Sequence, residues 1–337
     1  MQKIPAFRKA LLDWYRREKR DLPWRRTADP YAIWISEIML QQTRVTAVIP
    51  YYERFLAVYP DLWALAAAPE SELLGMWAGL GYYSRARNLQ KAARQMAAMG
   101  GFPRDHEAIL GLAGIGDYTA AAVASIAFGL PHAVLDGNVM RVLARLGNDG
   151  ADIANGETRK RMRAEAQHLL DLRHPGEFNQ AMMELGATVC LPKQPLCREC
   201  PVATMCKARA AGRERELPVK GRKAEVKKVE RTLLVIERAE KVLAWQRGEE
   251  SRQLRGFWEL PETHDLPGAE VVGFVGNFRH SITNHQYIFH VVEARILRKP
   301  KSFSYVPLSH EGGYPLSTTT RKALACLKEW KKSFSGA

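Results

Sequence analysis

The sequence predicts two kinds of structure in one chain, an all-α region followed by a small α+β domain. Three observations carry the prediction. Through about residue 206, apolar side chains recur at intervals of three and four, as in Phe7, Leu11, Leu12 and Tyr15, which is the helical period. From Val229 onward the interval becomes two, in ERTLLVIER, KVLAWQ, AEVVGFVGNF and HQYIFHVVEARIL, the mark of strands. Between them, residues 208–228 are basic, short of large apolar side chains and broken by Pro218 and Gly221, as an interdomain linker would be. A chain of 337 residues has room for two or three such units.

Within the helical region, Pro30, Pro50, Pro60, Pro69, Pro103, Pro131 and Pro175 separate one helix from the next. Residues 31–45, YAIWISEIMLQQTRV, place Glu37 among Trp34, Ile35, Ile38 and Met39. Two environments are open to it: the solvated face of an amphipathic helix, or an enclosed site where a carboxyl keeps its proton near neutral pH, as a general acid must. Gln41 and Gln42 follow at a turn, and GLGYYSRARN sets aromatic groups at another. Such groups either pack loops or insert into a base stack.

In residues 109–146, Gly114 and Gly116 form a turn between two helical patterns, and Asp136 heads a third helix. The glycines serve either a tight αα-corner or a helix–hairpin–helix whose exposed amides grip a phosphate. Cys190, Cys197, Cys200 and Cys206 form C-x6-C-x2-C-x5-C, enough thiolates to hold Zn²⁺ or a four-iron cluster, and spacing does not select between them. Lys193 and Arg198 lie inside this window, and Cys326 sits at an apolar position of a final helix from Thr318 to Lys332.

Composition narrows the partners. A net charge of +14 and a pI of about 9.6 point to a polyanion, whose counterions are released on binding. The N-terminal MQKIPAFRKALLDWYRREKR is charged throughout, so the expectation is neither a signal peptide nor an anchor, and a cytoplasmic, nucleoid-associated protein. Four of five cysteines in one window do not make a secreted disulfide framework.

LPWRRTADPYAIWISEIMLQQTRV, GLGYYSRARNL, LAGIGDYTAAA, LDGNVMRVLARL, FNQAMMELGATVC and the cysteine spacing together closely resemble the adenine DNA glycosylases of the MutY type. Those belong to the helix–hairpin–helix superfamily that includes endonuclease III. The resemblance runs in order through roughly the first 220 residues and, more weakly, through the C-terminal domain. It implies a multidomain chain. Residues 1–207 would be the all-α catalytic region, with a six-helix module over about 22–130, the helix–hairpin–helix near 108–128, and an iron–sulfur module from about 1–21 plus 131–207. Residues 208–228 would be the basic linker, and 229–337 a small α+β, Nudix-like domain for lesion recognition.

The same resemblance assigns roles. Glu37 matches the general acid that protonates adenine, Asp136 the carboxylate that stabilises the oxocarbenium-like sugar or a covalent adduct, and Asn138 a residue that positions them. Tyr118 stands where bifunctional relatives carry a lysine, so base excision without efficient strand cleavage is expected. Gln42 and Tyr82 match residues that wedge into the duplex, Thr43 and Leu80 those that touch the oxidised guanine, and Gly114 and Gly116 the hairpin on the phosphate. Arg20, Arg25 and Gln180 fall near the adenine pocket. The four cysteines would carry one 4Fe–4S cluster, and no nucleotide cofactor is expected. The C-terminal stretch THDLPGAEVV is too short and too poor in carboxylates to supply a Mg²⁺-binding Nudix helix. Where the family places Phe-Ser-His in the hairpin that reads 8-oxoguanine, this chain has Ile282, Thr283 and Asn284, followed by His285. That leaves open its preference between 8-oxoguanine and guanine.

The expected partner is double-stranded DNA with adenine opposite 8-oxoguanine or guanine, bound by a monomer with no membrane involved. Three alternatives stand beside this reading. An endonuclease III-like pyrimidine-lesion glycosylase/lyase is opposed by Tyr118 and by the extra domain. A nucleotide pyrophosphatase lacks its carboxylate helix, and a catalytically silent lesion-binding protein would not need both Glu37 and Asp136.

Overall fold

Helix follows helix to residue 210, as the three-and-four spacing predicts. In the computed structural model, which describes residues 3–221, 227–248, 250–251, 254–282, 285–307 and 315–335, the helices are α1 (Lys3–Glu18), α2 (Pro30–Leu40), α3 (Val45–Val58), α4 (Leu62–Ala67), α5 (Glu70–Met76), α6 (Ser84–Ala98), α7 (His106–Leu110), α8 (Asp117–Phe128), α9 (Gly137–Gly147), α10 (Gly156–Leu169), α11 (Pro175–Glu184) and α12 (Lys207–Ala210). Contacts group the chain into two units: Met1–Ala67 with Asn88–Lys223, and Ala68–Arg87 with Ala224–Ala337. The stretch containing α5 and the first turn of α6 thus groups with the strands.

In the helical unit, α2 explains itself from sequence. Asp29 caps it by accepting hydrogen bonds from the Tyr31 and Ala32 amides, Pro30 opens its first turn, and every residue from Tyr31 to Met39 is buried. A helix apolar on all sides has to be enclosed. The alanines of α8 let neighbours come close. A Cβ added at Gly176 of α11 would lie 2.5 Å from the Ser125 carbonyl oxygen of α8, so only glycine allows that approach. A core of α1, α8, α9, α10 and α11 forms around Phe7, Leu11, Ala122, Val142, Met162 and Phe178.

Residues 208–221, expected as linker, lie on this unit. Leu217 is buried, the Val219 carbonyl accepts from the Ile153 amide at 3.1 Å, and the Gly221 amide donates to Asp152 at 2.9 Å. One well-placed leucine outweighs the basic composition around it.

The strand-period segments form β1 (Lys227–Val235), β2 (Glu237–Arg238), β3 (Lys241–Gln246), β4 (Trp258–Glu259), β5 (Glu270–Ile282), β6 (His285–Arg295) and β7 (Phe303–Pro307), followed by α13 (Thr318–Ser335). They make two sheets, β1-β6-β5 and β2-β3-β4 with β7 on β3. β5 and β6 are antiparallel, but β1 runs parallel to β6. The run Leu233, Leu234, Val235 explains the parallel pair: Leu233 faces one apolar cluster and Leu234 the other, and strands buried on both faces suit parallel pairing. Ala323 and Leu327 of α13 close the first cluster. Among the described residues no helix is long and apolar enough to cross a membrane.

Candidate active site and cysteine cluster

The enclosed α2 carries Glu37 into the protein, where it is 6% exposed and lines a cavity of about 480 Å³ together with Tyr118, Asp136, Asn138, Gln180 and Met183. Of the two environments the sequence left open, burial is the one found. Glu37 Oε2 accepts from the Tyr118 hydroxyl at 2.7 Å. Burial pushes its pKa up from 4.5 to about 7; the bond from Tyr118 opposes this, the charge of Asp136 adds to it and Arg25 opposes it. Desolvation wins because a carboxylate loses more on leaving water than one hydrogen bond returns. Tyr118 also bonds Met183 Sδ at 3.1 Å, and burial holds its own pKa well above 10.

Asp136 enters the same cavity from another element. It is the N-cap of α9, accepting from the Val139 amide at 2.7 Å through Oδ1, and its Oδ2 accepts from Asn138 Nδ2 at 2.9 Å. Burial raises its pKa, against the Val139 and Asn138 bonds. Those donors sit at a helix N-terminus and favour the charged carboxylate. Asn138 is fixed in turn by Arg141 Nη2 at 2.8 Å, and Arg141 bonds the Cys190 and Gly186 carbonyls, both at 2.7 Å. Two carboxyl groups about 100 residues apart in sequence therefore share one cavity in different settings, one in apolar surroundings and one ringed by donors.

Arg20 and Arg25 line the cavity as well, and both are clamped by Glu184, which sequence reasoning did not single out. Arg20 bonds it at 2.8 and 2.7 Å, and Arg25 at 2.7 Å. Burial would raise the Glu184 pKa, yet the bonds from Arg20 and Arg25 overrule it and hold the group at about 2. Its position one turn after Gln180 on α11 is the signal that was there to use. Gln180 accepts from Tyr15 at 3.1 Å.

The expected DNA-contacting residues fall on loops and strand ends of each unit. In the helical unit, Gln42 is exposed with φ 58°, and Gln42 and Thr43 lie at the cavity wall. Gly114 has φ 73°, and a Cβ there would lie 2.5 Å from Asn88 Cβ, whereas one on Gly116 would meet nothing. Asp117, next to the hairpin, pairs with Arg163 at 2.7 Å at the surface and makes no cap. In the other unit, Tyr82 is 56% exposed with φ 47°, and Leu80 is buried. A left-handed backbone at a bulky residue costs energy that a site must compensate, and both expected wedges carry it. Ile282 is half-exposed and pairs with His285 across β5 and β6; His285 stacks on Tyr287. Thr283 and Asn284 lie outside the described residues.

The four clustered cysteines are half-buried free thiols. Burial raises Cys200 to about 11, and the charges of Cys190, Cys206 and Cys197 push the same way, so the four sulfurs lie within electrostatic reach of one another. Arg145, itself buried, donates to Cys190 Sγ at 3.2 Å. Among the described residues no three such side chains converge tightly enough to grip a single ion. The donor set, four thiols beside a buried guanidinium, fits a thiolate-held metal group.

A model of the HhH-GPD superfamily of base excision DNA repair proteins matches residues 35–170. A human protein named adenine DNA glycosylase is 49% identical over 229 residues, 65% of this chain and 42% of that one. One of the same name from Buchnera aphidicola subsp. Baizongia pistaciae is 40% identical over 206 residues, 60% of this chain and 58% of that one. The chain thus spans about half the length of these relatives. Among solved structures, a thermostable thymine-DNA glycosylase is 31% identical with a TM-score of 0.56, over 62% of this chain and 98% of that one. An endonuclease III–DNA complex, 24% identical with a TM-score of 0.53 over 63% of this chain and 97% of that one, shares the fold.

Proposed function

Because this chain belongs to the HhH-GPD superfamily of base excision DNA repair proteins, we propose that it hydrolyses the N-glycosidic bond of adenine mispaired with 8-oxoguanine or guanine in duplex DNA. The observation that carries the proposal is the pairing of Glu37 and Asp136 on one cavity. A carboxyl whose pKa is near 7 holds a proton for the departing base, and a donor-ringed carboxylate beside it meets the positive charge that develops on the sugar. Tyr118, an alcohol where a lyase needs an amine, orients Glu37 and forms no Schiff base. Asn138 and Arg141 hold Asp136 in place, while Arg20, Arg25 and Gln180 border the space for the extruded base, whose unstacking costs a few kcal/mol.

In this reading the strained Gln42 wedges and Thr43 touches the opposite base from the helical unit, where the hairpin at Gly114 and Gly116 takes a phosphate, and the resemblance gives the other unit a wedge in Tyr82 and a base contact in Leu80. Cys190, Cys197, Cys200 and Cys206 hold one 4Fe–4S cluster, which supplies structure. The sheet unit, with residues 260–269 running as turns, acts in recognition and performs no phosphate chemistry. The protein works as a cytoplasmic monomer.

The relative that acts on thymine supplies the second reading, with adenine replaced by a mispaired thymine. The test is one gel. Duplexes carrying A opposite 8-oxoguanine, A opposite G, T opposite G and an oxidised pyrimidine are incubated with the protein and analysed with and without alkali. Breaks only after alkali, and only at adenine, are expected. Cleavage at thymine, or breaks without alkali, would refute the assignment.

A further inference from the structure

The Tyr118 hydroxyl has a single proton and two acceptors, Glu37 Oε2 at 2.7 Å and Met183 Sδ at 3.1 Å. Met183 lines the same cavity from α11. A thioether is a weak acceptor and fills space as well as any apolar side chain, so packing alone gives no reason for its sulfur to face a hydroxyl. We propose that Met183 is a positioning residue that sets the protonation state of Glu37 by competing with it for the Tyr118 proton. Whenever the hydroxyl turns toward sulfur, Glu37 loses the bond that favours its charged form. When Glu37 carries its proton on Oε2, the hydroxyl oxygen accepts that proton's hydrogen bond, and its own hydrogen still has a partner in Met183. Both effects favour the protonated acid.

Asp136, at the head of α9, favours the protonated form by repulsion, and Arg25 opposes it. Arg20 and Glu184 also line the cavity, and Glu184 is already engaged by both arginines. Among the described residues the Tyr118 hydroxyl bonds Glu37 and Met183, and neither Asp136 nor Arg25. That leaves the sulfur as the competing acceptor.

The inference rests on Glu37 acting as the acid, and the test separates the two. In the full chain labelled with ¹³Cδ-glutamate, the Glu37 resonance is identified by its loss in Glu37→Gln and titrated without DNA. Met183→Leu removes the competing acceptor at similar volume, so the Glu37 midpoint falls by about half a pH unit, roughly threefold in proton affinity. Met183→Gln offers a stronger acceptor, so the midpoint rises. In single-turnover excision of adenine opposite 8-oxoguanine, the loss of rate with rising pH shifts the same way in each variant. Midpoints equal to wild type in both variants, or displaced in the same direction in both, would overturn the role of the sulfur. Opposite displacements with no excision of adenine would sustain it and sink the functional assignment instead.

Discussion

Replacing Glu37 by Gln should make the protein more stable and inactive, and the gain should depend on pH. In the folded chain the Glu37 pKa is about 7, against an ordinary 4.5. The folded state therefore binds this proton more tightly than the unfolded state does. Its favourable contribution is complete below pH 4.5 and is lost as pH rises through 7. At 1.36 kcal/mol per pKa unit, the displacement from 4.5 to about 7 amounts to about 3 kcal/mol of destabilisation at pH 8. Glutamine has the same shape, carries no charge, and offers its amide oxygen to the Tyr118 hydroxyl. The gain at pH 8 is then about 2–3 kcal/mol, which for a unit of this size is a rise in Tm of about 5–10 °C. Thermal unfolding by circular dichroism at pH 8 and pH 5 measures it, and at pH 5 the difference should shrink to under about 1 kcal/mol. A variant no more stable than wild type at pH 8, or a gain equal at both pH values, would refute the claim that burial of an ionisable carboxyl strains this site.

Gly114→Ala should lower Tm by about 6–12 °C, from about 3 kcal/mol of left-handed backbone strain and overlap with Asn88, while Gly116→Ala stays within about 2 °C in the same melt and weakens duplex binding in a filter assay. Glu184→Gln leaves Arg25 and Arg20 without their counter-ion and should cost about 3 kcal/mol in urea unfolding at pH 7. Because the Glu184 pKa is depressed to about 2, its contribution is present above pH 4.5 and lost as pH falls toward 2, so wild type and variant should converge on acidification. Cys200→Ser should lower bound iron, measured by elemental analysis and visible absorbance, and lower the unfolding midpoint, since a group held only by the folded state stabilises it.

The two structural classes were legible because each has its own period, and α2 was legible because Asp29, Pro30 and an unbroken apolar run leave few alternatives. Glu37 illustrates the limit. Its neighbours left burial and the solvated face both open, and only the packing of α3 and α8 against α2 decides between them; the contact with α8 is long-range. Glu184 went unread because a lone glutamate in an amphipathic helix looks solvated until two arginines from distant positions meet it. The docking of residues 208–221 was hidden by composition, since Leu217 is a single apolar residue among charges. The parallel pairing of β1 and β6 is not legible in the sequence, because residue alternation reports burial of a strand's faces and carries no information about direction. The motif resemblance supplied roles for Asn138 and Tyr118 that spacing alone could not.

Asp136 caps the start of a helix with one oxygen, and its other oxygen accepts from Asn138 at the cavity wall. A side chain tied in this manner cannot swing out to meet a substrate; whatever reacts there has to be delivered to it. The arrangement trades mobility for aim. It also means that the chemistry and the start of α9 stand or fall together: an alanine at this position would untie the backbone as well as remove the charge, whereas asparagine would keep the bond from the Val139 amide, lose the one from Asn138 and silence the reaction.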